Sequence, residues 1–208
     1  MSLFITFEGG EGSGKSLQSR ALYRKLSRLA IPALLTHEPG GTPFGNKIGR
    51  WLKWAQDTDI SALTELLLFN ASRSQLVTEV IQPNLKNGKI VLCDRYADST
   101  TAYQSYGRGL DLEMVRAINN AATQGLKPDL TVLLDMPAEE GLARKSTKKQ
   151  DRFEQEALAF HQRVREGYLK LAAKEPEHWL VIDATQSKEN IEEVIWKRVS
   201  KLLPSRGG

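Results

Sequence analysis

Apolar residues fall along this chain in two alternating rhythms. Short apolar runs at 3–7, 33–36, 89–93, 130–135 and 179–183 lack the polar alternation of a half-exposed strand, and read as strands covered on both sides. Between them, apolar positions recur at helical spacing. Leu22, Leu26 and Leu29 give a helix over 17–30, with Arg20, Arg24, Lys25 and Arg28 on its other faces. The spacing predicts further helices over 44–54, 63–80 and 111–122, one from Pro137 through Leu142, and a long one over 153–173. Ser187 N-caps a last helix that keeps its period through Ile191, Val194, Ile195, Val199 and Leu202. Pro32, Pro83 and Gly88 punctuate the connections, and the tail from Pro204 is expected to fray. Strands alternating with helices predict an α/β fold: a five-stranded parallel sheet with helices on both faces and right-handed crossovers. No repeat or linker interrupts it, so residues 1–208 are expected to form one domain.

The junction of the first strand and first helix carries the clearest chemistry. Gly9-Gly10-Glu11-Gly12-Ser13-Gly14-Lys15-Ser16 meets the pattern G-x-x-x-x-G-K-[ST], with the strand before it and the helix after it that the motif demands. Glycines let the backbone fold around an anion, and N–H groups at the helix start point at phosphate oxygens. Lys15 reaches the outer phosphates and Ser16 can ligand Mg²⁺. The alternative is a glycine-rich turn that binds nothing. The third strand ends in Asp94, the arrangement in which a carboxylate lies near the metal held by a phosphate loop.

Other segments leave two readings each. Glu38, in Glu38-Pro39-Gly40-Gly41, ends the second strand, where open α/β sheets meet their ligands, yet the same residues make an ordinary turn. Arg73 is a solvated edge residue or a fork reaching phosphate. Residues 98–109 show no clear period and read as a connecting loop, although Tyr103 and Gln104 offer an apolar face and an amide suited to a base or sugar. The segment 144–152 carries five basic residues and one acid: a solvated face, or a mobile lid over phosphates.

Composition narrows the class. With 208 residues, 40% of them hydrophobic, the chain can bury a sizeable core. Its 29 Lys+Arg and 25 Asp+Glu leave a net +4, which suits small phosphorylated ligands and is too mild to indicate a nucleic-acid partner. The one cysteine, Cys93, excludes an internal disulfide or thiolate metal site and points to a reducing cytoplasm. No apolar stretch is long enough for a membrane span, and no signal peptide is visible. His37, His161 and His178 are scattered and read as surface or packing residues.

Taken together, the motifs resemble the thymidylate kinase family in its bacterial form, along nearly the whole chain. The resemblance rests on the phosphate loop, Glu38-Pro39-Gly40-Gly41-Thr42, Phe69-Asn70-Ala71-Ser72-Arg73-Ser74, Asp94-Arg95-Tyr96, Ser99-Thr100-Thr101-Ala102-Tyr103-Gln104, Gly107-Arg108-Gly109-Leu110 and Asp151-Arg152-Phe153-Glu154, in family order. It implies a P-loop kinase that moves phosphate from ATP to dTMP with Mg²⁺, as a homodimer. By the same resemblance, residues Gly9 to Ser16 hold ATP, and Ser16 and Asp94 serve the metal. Glu11 lies near the acceptor sugar and Glu38 near the acceptor end. Phe69 stacks on thymine, Arg73, Ser99, Thr100 and Gln104 surround the base, Arg95 positions the acceptor phosphate, and Tyr103 crowds the sugar. The phosphate loop has no arginine, so the chain resembles the style whose catalytic arginine sits in the lid, about 141–153. Arg144 and Arg152 are the candidates beside Lys15 and Arg95, while lysines stand at 145, 148 and 149. Many relatives have an arginine where this chain has Gly49, and Arg50 is expected to bend back to that role. The rival readings are another nucleoside-monophosphate or deoxynucleoside kinase and, more distantly, a P-loop ATPase or switch protein.

Overall fold

The computed structural model describes residues 2–55, 59–145 and 150–203. Five strands, β1 (Leu3–Glu8), β2 (Ala33–His37), β3 (Ile90–Asp94), β4 (Leu130–Asp135) and β5 (Trp179–Asp183), pair in the order β2-β3-β1-β4-β5. Every pairing is parallel. The expected sheet is therefore the observed one, with β1 at its centre.

Burial explains why the strand runs are apolar throughout. Leu3, Ile5 and Phe7 of β1 face one layer, where they pack with Leu22 and Leu26 of α1 (Lys15–Arg28). The adjacent Phe4 faces the other side and packs with Val91, Cys93 and Tyr96. In the inner strands β1, β3 and β4 each face is covered, while the edge strands β2 and β5 keep exposed positions such as His37 and Val181.

The helices that follow are α2 (Pro43–Trp54), α3 (Ala62–Leu76), α4 (Gln82–Lys86), α5 (Ala97–Thr100), α6 (Leu112–Thr123), α7 (Ala138–Ala143), α8 (Leu158–Lys174) and α9 (Lys188–Ser200). Thr42, Ser61, Asp111 and Ser187 cap α2, α3, α6 and α9 by accepting from the backbone N–H three residues on. On the second face of the sheet, Phe160, Val164 and Tyr168 of α8 pack with Ala102, Tyr103 and Leu133.

Three expectations about helices change. The helix expected over 63–80 continues through a π-helical turn, Val77–Ile81, into α4, and Pro83, which has no N–H to give to the preceding turn, stands where the hydrogen-bonding pattern changes. Residues 98–109 form no loop: α5 runs into a second π-helical segment, Thr101–Gly107. A π turn takes side chains off the 3.6-residue period, which is why the stretch shows none. The helix expected from residue 153 starts at Leu158, because Asp151 Oδ1 accepts from the N–H groups of Phe153 (3.0 Å) and Glu154 (3.1 Å) and folds that segment into a turn. No helix among the described residues is long and apolar enough to cross a membrane.

Candidate active site

At the carboxyl end of β1 the chain turns through Gly9, Gly12 and Gly14, all at positive φ (140°, 68° and 93°), and enters α1. Two of these glycines are also required by space. A Cβ on Gly9 would stand 2.4 Å from the Leu134 carbonyl oxygen, and one on Gly12 2.0 Å from that of Gly141 in α7. The loop is thus laid directly on β4 and α7. The Lys15 ammonium folds back over it, donating to the Gly10 carbonyl (2.6 Å) and toward Ser13 Oγ (3.3 Å). Burial, then the Arg95 charge, brings the Lys15 pKa down to about 8, against the pull of Glu11, Asp94 and Glu8.

Because β3 pairs with β1 in register Phe7 to Asp94, the Asp94 carboxylate arrives beside the start of α1, where Ser16 Oγ donates to it. Among the described residues no group of three or more His, Cys, Asp or Glu is arranged around a metal. A hydroxyl and one carboxylate facing a phosphate loop fit Mg²⁺, which keeps most of its water and takes phosphate oxygens as further ligands. Ser16 and Asp94 would hold it.

After Asp94 the chain makes a sharp turn, with Arg95 at φ 70°, that throws the guanidinium across the loop. Its Nη2 lies 2.6 Å from Glu11 Oε1, which also accepts from Tyr103 OH at 2.7 Å. Its Nη1 donates toward the Gly9 carbonyl (3.2 Å) and Ser99 Oγ (3.3 Å). Burial pushes the Glu11 carboxyl up, but Arg95, Lys15 and the Tyr103 hydroxyl more than offset this and hold it far below the ordinary range. Under this layer lies Glu8, fully buried, accepting from Tyr96 N–H (2.7 Å), Ser99 Oγ (2.6 Å) and Tyr168 OH (2.9 Å).

The second half of the site hangs on Arg73, which is 1% exposed and is no surface residue. Its Nε and Nη2 both donate to Glu38 Oε2 (2.9 and 2.7 Å), and its Nη1 reaches Asn70, Thr100 and Asn119. Beside it, Phe69 stands 5.7 Å from the Phe153 ring, and Tyr103 6.1 Å from the same ring. Gln104 gives its amide N–H to Glu65 Oε1 (2.7 Å), leaving its buried Oε1 without a partner among the described residues. One cleft of about 640 Å³ joins the two halves, and its walls include Lys15, Ser16, Glu38, Phe69, Arg73, Asp94, Arg95, Ser99, Thr100, Tyr103, Gln104 and Arg144.

Two expected residues are not brought there. Arg50 is exposed and absent from the cleft walls; one helix step from Gly49 turns a side chain by ~100°, and here that carries it to solvent. Arg152 faces away from the phosphate loop, donating to the Leu52 carbonyl (3.1 Å) and to Glu65 Oε2 (2.5 Å). Lys145 does line the cleft, tied to Glu154 at 2.6 Å, while Lys148 and Lys149 lie outside the described residues. His37, expected as a surface or packing residue, lines the cleft; the sequence assigns no role to Lys53 and Asp151 in the walls, or to Glu65 and Gly141 behind them. Of these, only Asp151 stood inside a quoted motif.

A parallel sheet with a phosphate loop at the end of its central strand, and a carboxylate beside the start of the helix that follows, defines a P-loop nucleotide-binding fold of the α/β class. Comparison with known proteins narrows this. A family model described as thymidylate kinase matches residues 7–195. A thymidylate kinase of Dehalococcoides mccartyi (strain CBDB1) is 57% identical over 206 residues, covering 99% of both chains. One of Roseiflexus castenholzii is 50% identical over 219 residues, covering 99% of this chain and 96% of the other. The crystal structure of thymidylate kinase from Ehrlichia chaffeensis superposes with a TM-score of 0.76 at 33% identity, over 97% of this chain and 99% of that one. The chain belongs to the thymidylate kinase family, and it is a phosphotransferase.

Proposed function

We propose that this enzyme transfers the γ-phosphate of ATP to dTMP, giving dTDP and ADP, within a single domain whose segment 141–153 acts as a lid. The observation that carries the reading is a cleft in which a phosphate loop faces an aromatic slot formed by Phe69, Tyr103 and Phe153. In this reading Gly9 to Ser16 wrap the ATP phosphates, Glu38, Arg73, Ser99, Thr100 and Gln104 border the base, and Glu11 and Tyr103 border the sugar.

The acceptor is a phosphate monoester with its second pKa near ~6, so it is already a dianion at neutral pH and needs no general base. The work left to the protein is to bring two anions into line and cancel their repulsion. Lys15 and Arg95 supply fixed positive charge from opposite sides of the loop, and Arg144, whose Nη1 rests 3.3 Å from the Ala184 carbonyl, adds a third from the lid. Ser16 and Asp94 would hold Mg²⁺, which when bound would supply positive charge to the phosphates. Closing the lid excludes water, the competing acceptor. The test is ADP release with ATP, Mg²⁺ and dTMP: turnover is expected from the wild type and none from Lys15→Ala.

The same reading includes a homodimer and a cytoplasmic home among the nucleotide pools. Phe44, Trp51 and Trp54 of α2 and Leu63 and Leu67 of α3 are exposed on two helices that pack together, an apolar face that suits a second copy. Trp51→Glu is expected to shift the light-scattering mass to that of a monomer, and an unchanged mass would remove α2 from the interface.

A further inference from the structure

Gly45, Gly49 and Lys53 lie along one face of α2, four residues apart each time. The two glycines let the helix rest on the turn that carries Glu38. A Cβ on Gly45 would stand 2.8 Å from the Gly40 carbonyl oxygen, and one on Gly49 2.9 Å from that of Pro39. Lys53 is the first side chain on this face to clear the turn, and it enters the cleft wall. Its carbonyl accepts from Arg152 N–H at 3.1 Å, which ties it to the segment that sets Phe153 over the aromatic slot. Its charge is felt by His37 of β2 and by Asp151, which precedes Arg152 in the same segment.

Four of the other cleft cations are held by the protein, and a fifth, Arg144, rests on the Ala184 carbonyl. Arg73 is bound by Glu38, Arg95 by Glu11 and Lys145 by Glu154, while Lys15 is folded onto its own loop. Arg20 stands exposed on α1, a turn beyond Ser16. Lys53 is a partly exposed residue whose side chain has no hydrogen bond or ion pair among the described residues, and it sits on the Glu38 side of the cleft. An ammonium that lines the cleft with no ion pair closed among the described residues, facing a slot for a phosphorylated nucleoside, can give its hydrogen bonds to an anion.

We propose that Lys53 binds the phosphate of the acceptor monophosphate, serving as a positioning residue that the glycine face of α2 makes room for. This rests on the thymidylate reading for the identity of the acceptor. The phosphate and not the nucleoside feels this contact, so binding of dTMP and of thymidine should separate.

The experiment is calorimetric titration of wild type, Lys53→Met and Lys53→Arg with dTMP and with thymidine, alongside steady-state kinetics. Lys47→Met, which removes an exposed charge from the same helix, is the control for net charge. Lys53→Met is expected to weaken dTMP by about 10- to 100-fold, the range for loss of a charged hydrogen bond. Thymidine binding and KM for ATP should stay within about twofold of the wild type, and Lys53→Arg should recover most of the loss. Equal weakening of dTMP and thymidine, or no weakening of either, would overturn the proposal. A wild-type protein that does not bind dTMP would instead overturn the thymidylate reading. The same comparison is then made with the monophosphate it does bind and that monophosphate's nucleoside, so the two failures are distinguished.

Discussion

Arg152 Nη2 and Glu65 Oε2 are 2.5 Å apart, and Glu65 is fully buried. Glu65 also accepts from Gln104 and Arg108, so one carboxylate joins α3, the π-helical wall of the cleft and the foot of the basic segment. Arg152 thereby acts as an anchor. Arg152→Ala is expected to cost about 1–3 kcal/mol, the range for a buried polar group deprived of a partner, or roughly 2–4 °C of melting temperature for each kcal/mol. The kcat of the folded variant should fall less than about tenfold. A kcat loss of 100-fold or more without a change in melting temperature would return Arg152 to the chemistry.

Gly12 and Gly141 touch backbone to backbone: a Cβ on Gly141 would lie 2.2 Å from the Glu11 carbonyl oxygen. Gly141 is an ordinary helix position by sequence, and alanine there would normally strengthen α7 by about 1 kcal/mol. Here Gly141→Ala must push the phosphate loop away. The expected result is a KM for ATP raised by about tenfold or more, since a displacement of ~1 Å at a catalytic loop costs up to 10²-fold. Wild-type kinetics in a more stable variant would mean that the contact carries no constraint.

These two pairs mark where the sequence stops being legible. The strands and most helices follow from local rhythm, because an apolar face repeats at the element's own period whichever neighbour covers it. The phosphate loop and Asp94 follow from spacing, because a strand end and a helix start bring them together whatever the rest does, while Arg95 is singled out by the family resemblance. Contacts between distant segments leave no such trace. Arg73 is ambiguous by sequence, and only the turn at Glu38 and the helix bearing Asn119 bury it. The π-helical wall hides its period, and Lys53 enters the cleft only because glycines at 45 and 49 lower the helix onto a turn.

Lys15 gives a pH signature. In the free enzyme its pKa is lowered to about 8, first by burial, so the ammonium that meets the ATP phosphates loses its charge as pH rises through that value. The kcat/KM for ATP is expected to fall about tenfold per pH unit above about 8, because this ratio reports the free enzyme. The kcat at saturating ATP should hold to higher pH, since bound phosphates favour the charged form. A kcat/KM that stays flat to about pH 9.5 would contradict the lowered pKa.

The central claim is that one cleft holds ATP on the phosphate loop and a thymine nucleotide between Phe69 and Tyr103. It is tested most directly by kcat/KM for ADP release with ATP, Mg²⁺ and each of dTMP, dUMP, UMP, CMP, dCMP, AMP and GMP. The expected result is strong turnover with dTMP, weaker turnover with dUMP and almost none with the others. A preference for any other acceptor would contradict the account of the slot while leaving the phosphate loop and the fold in place.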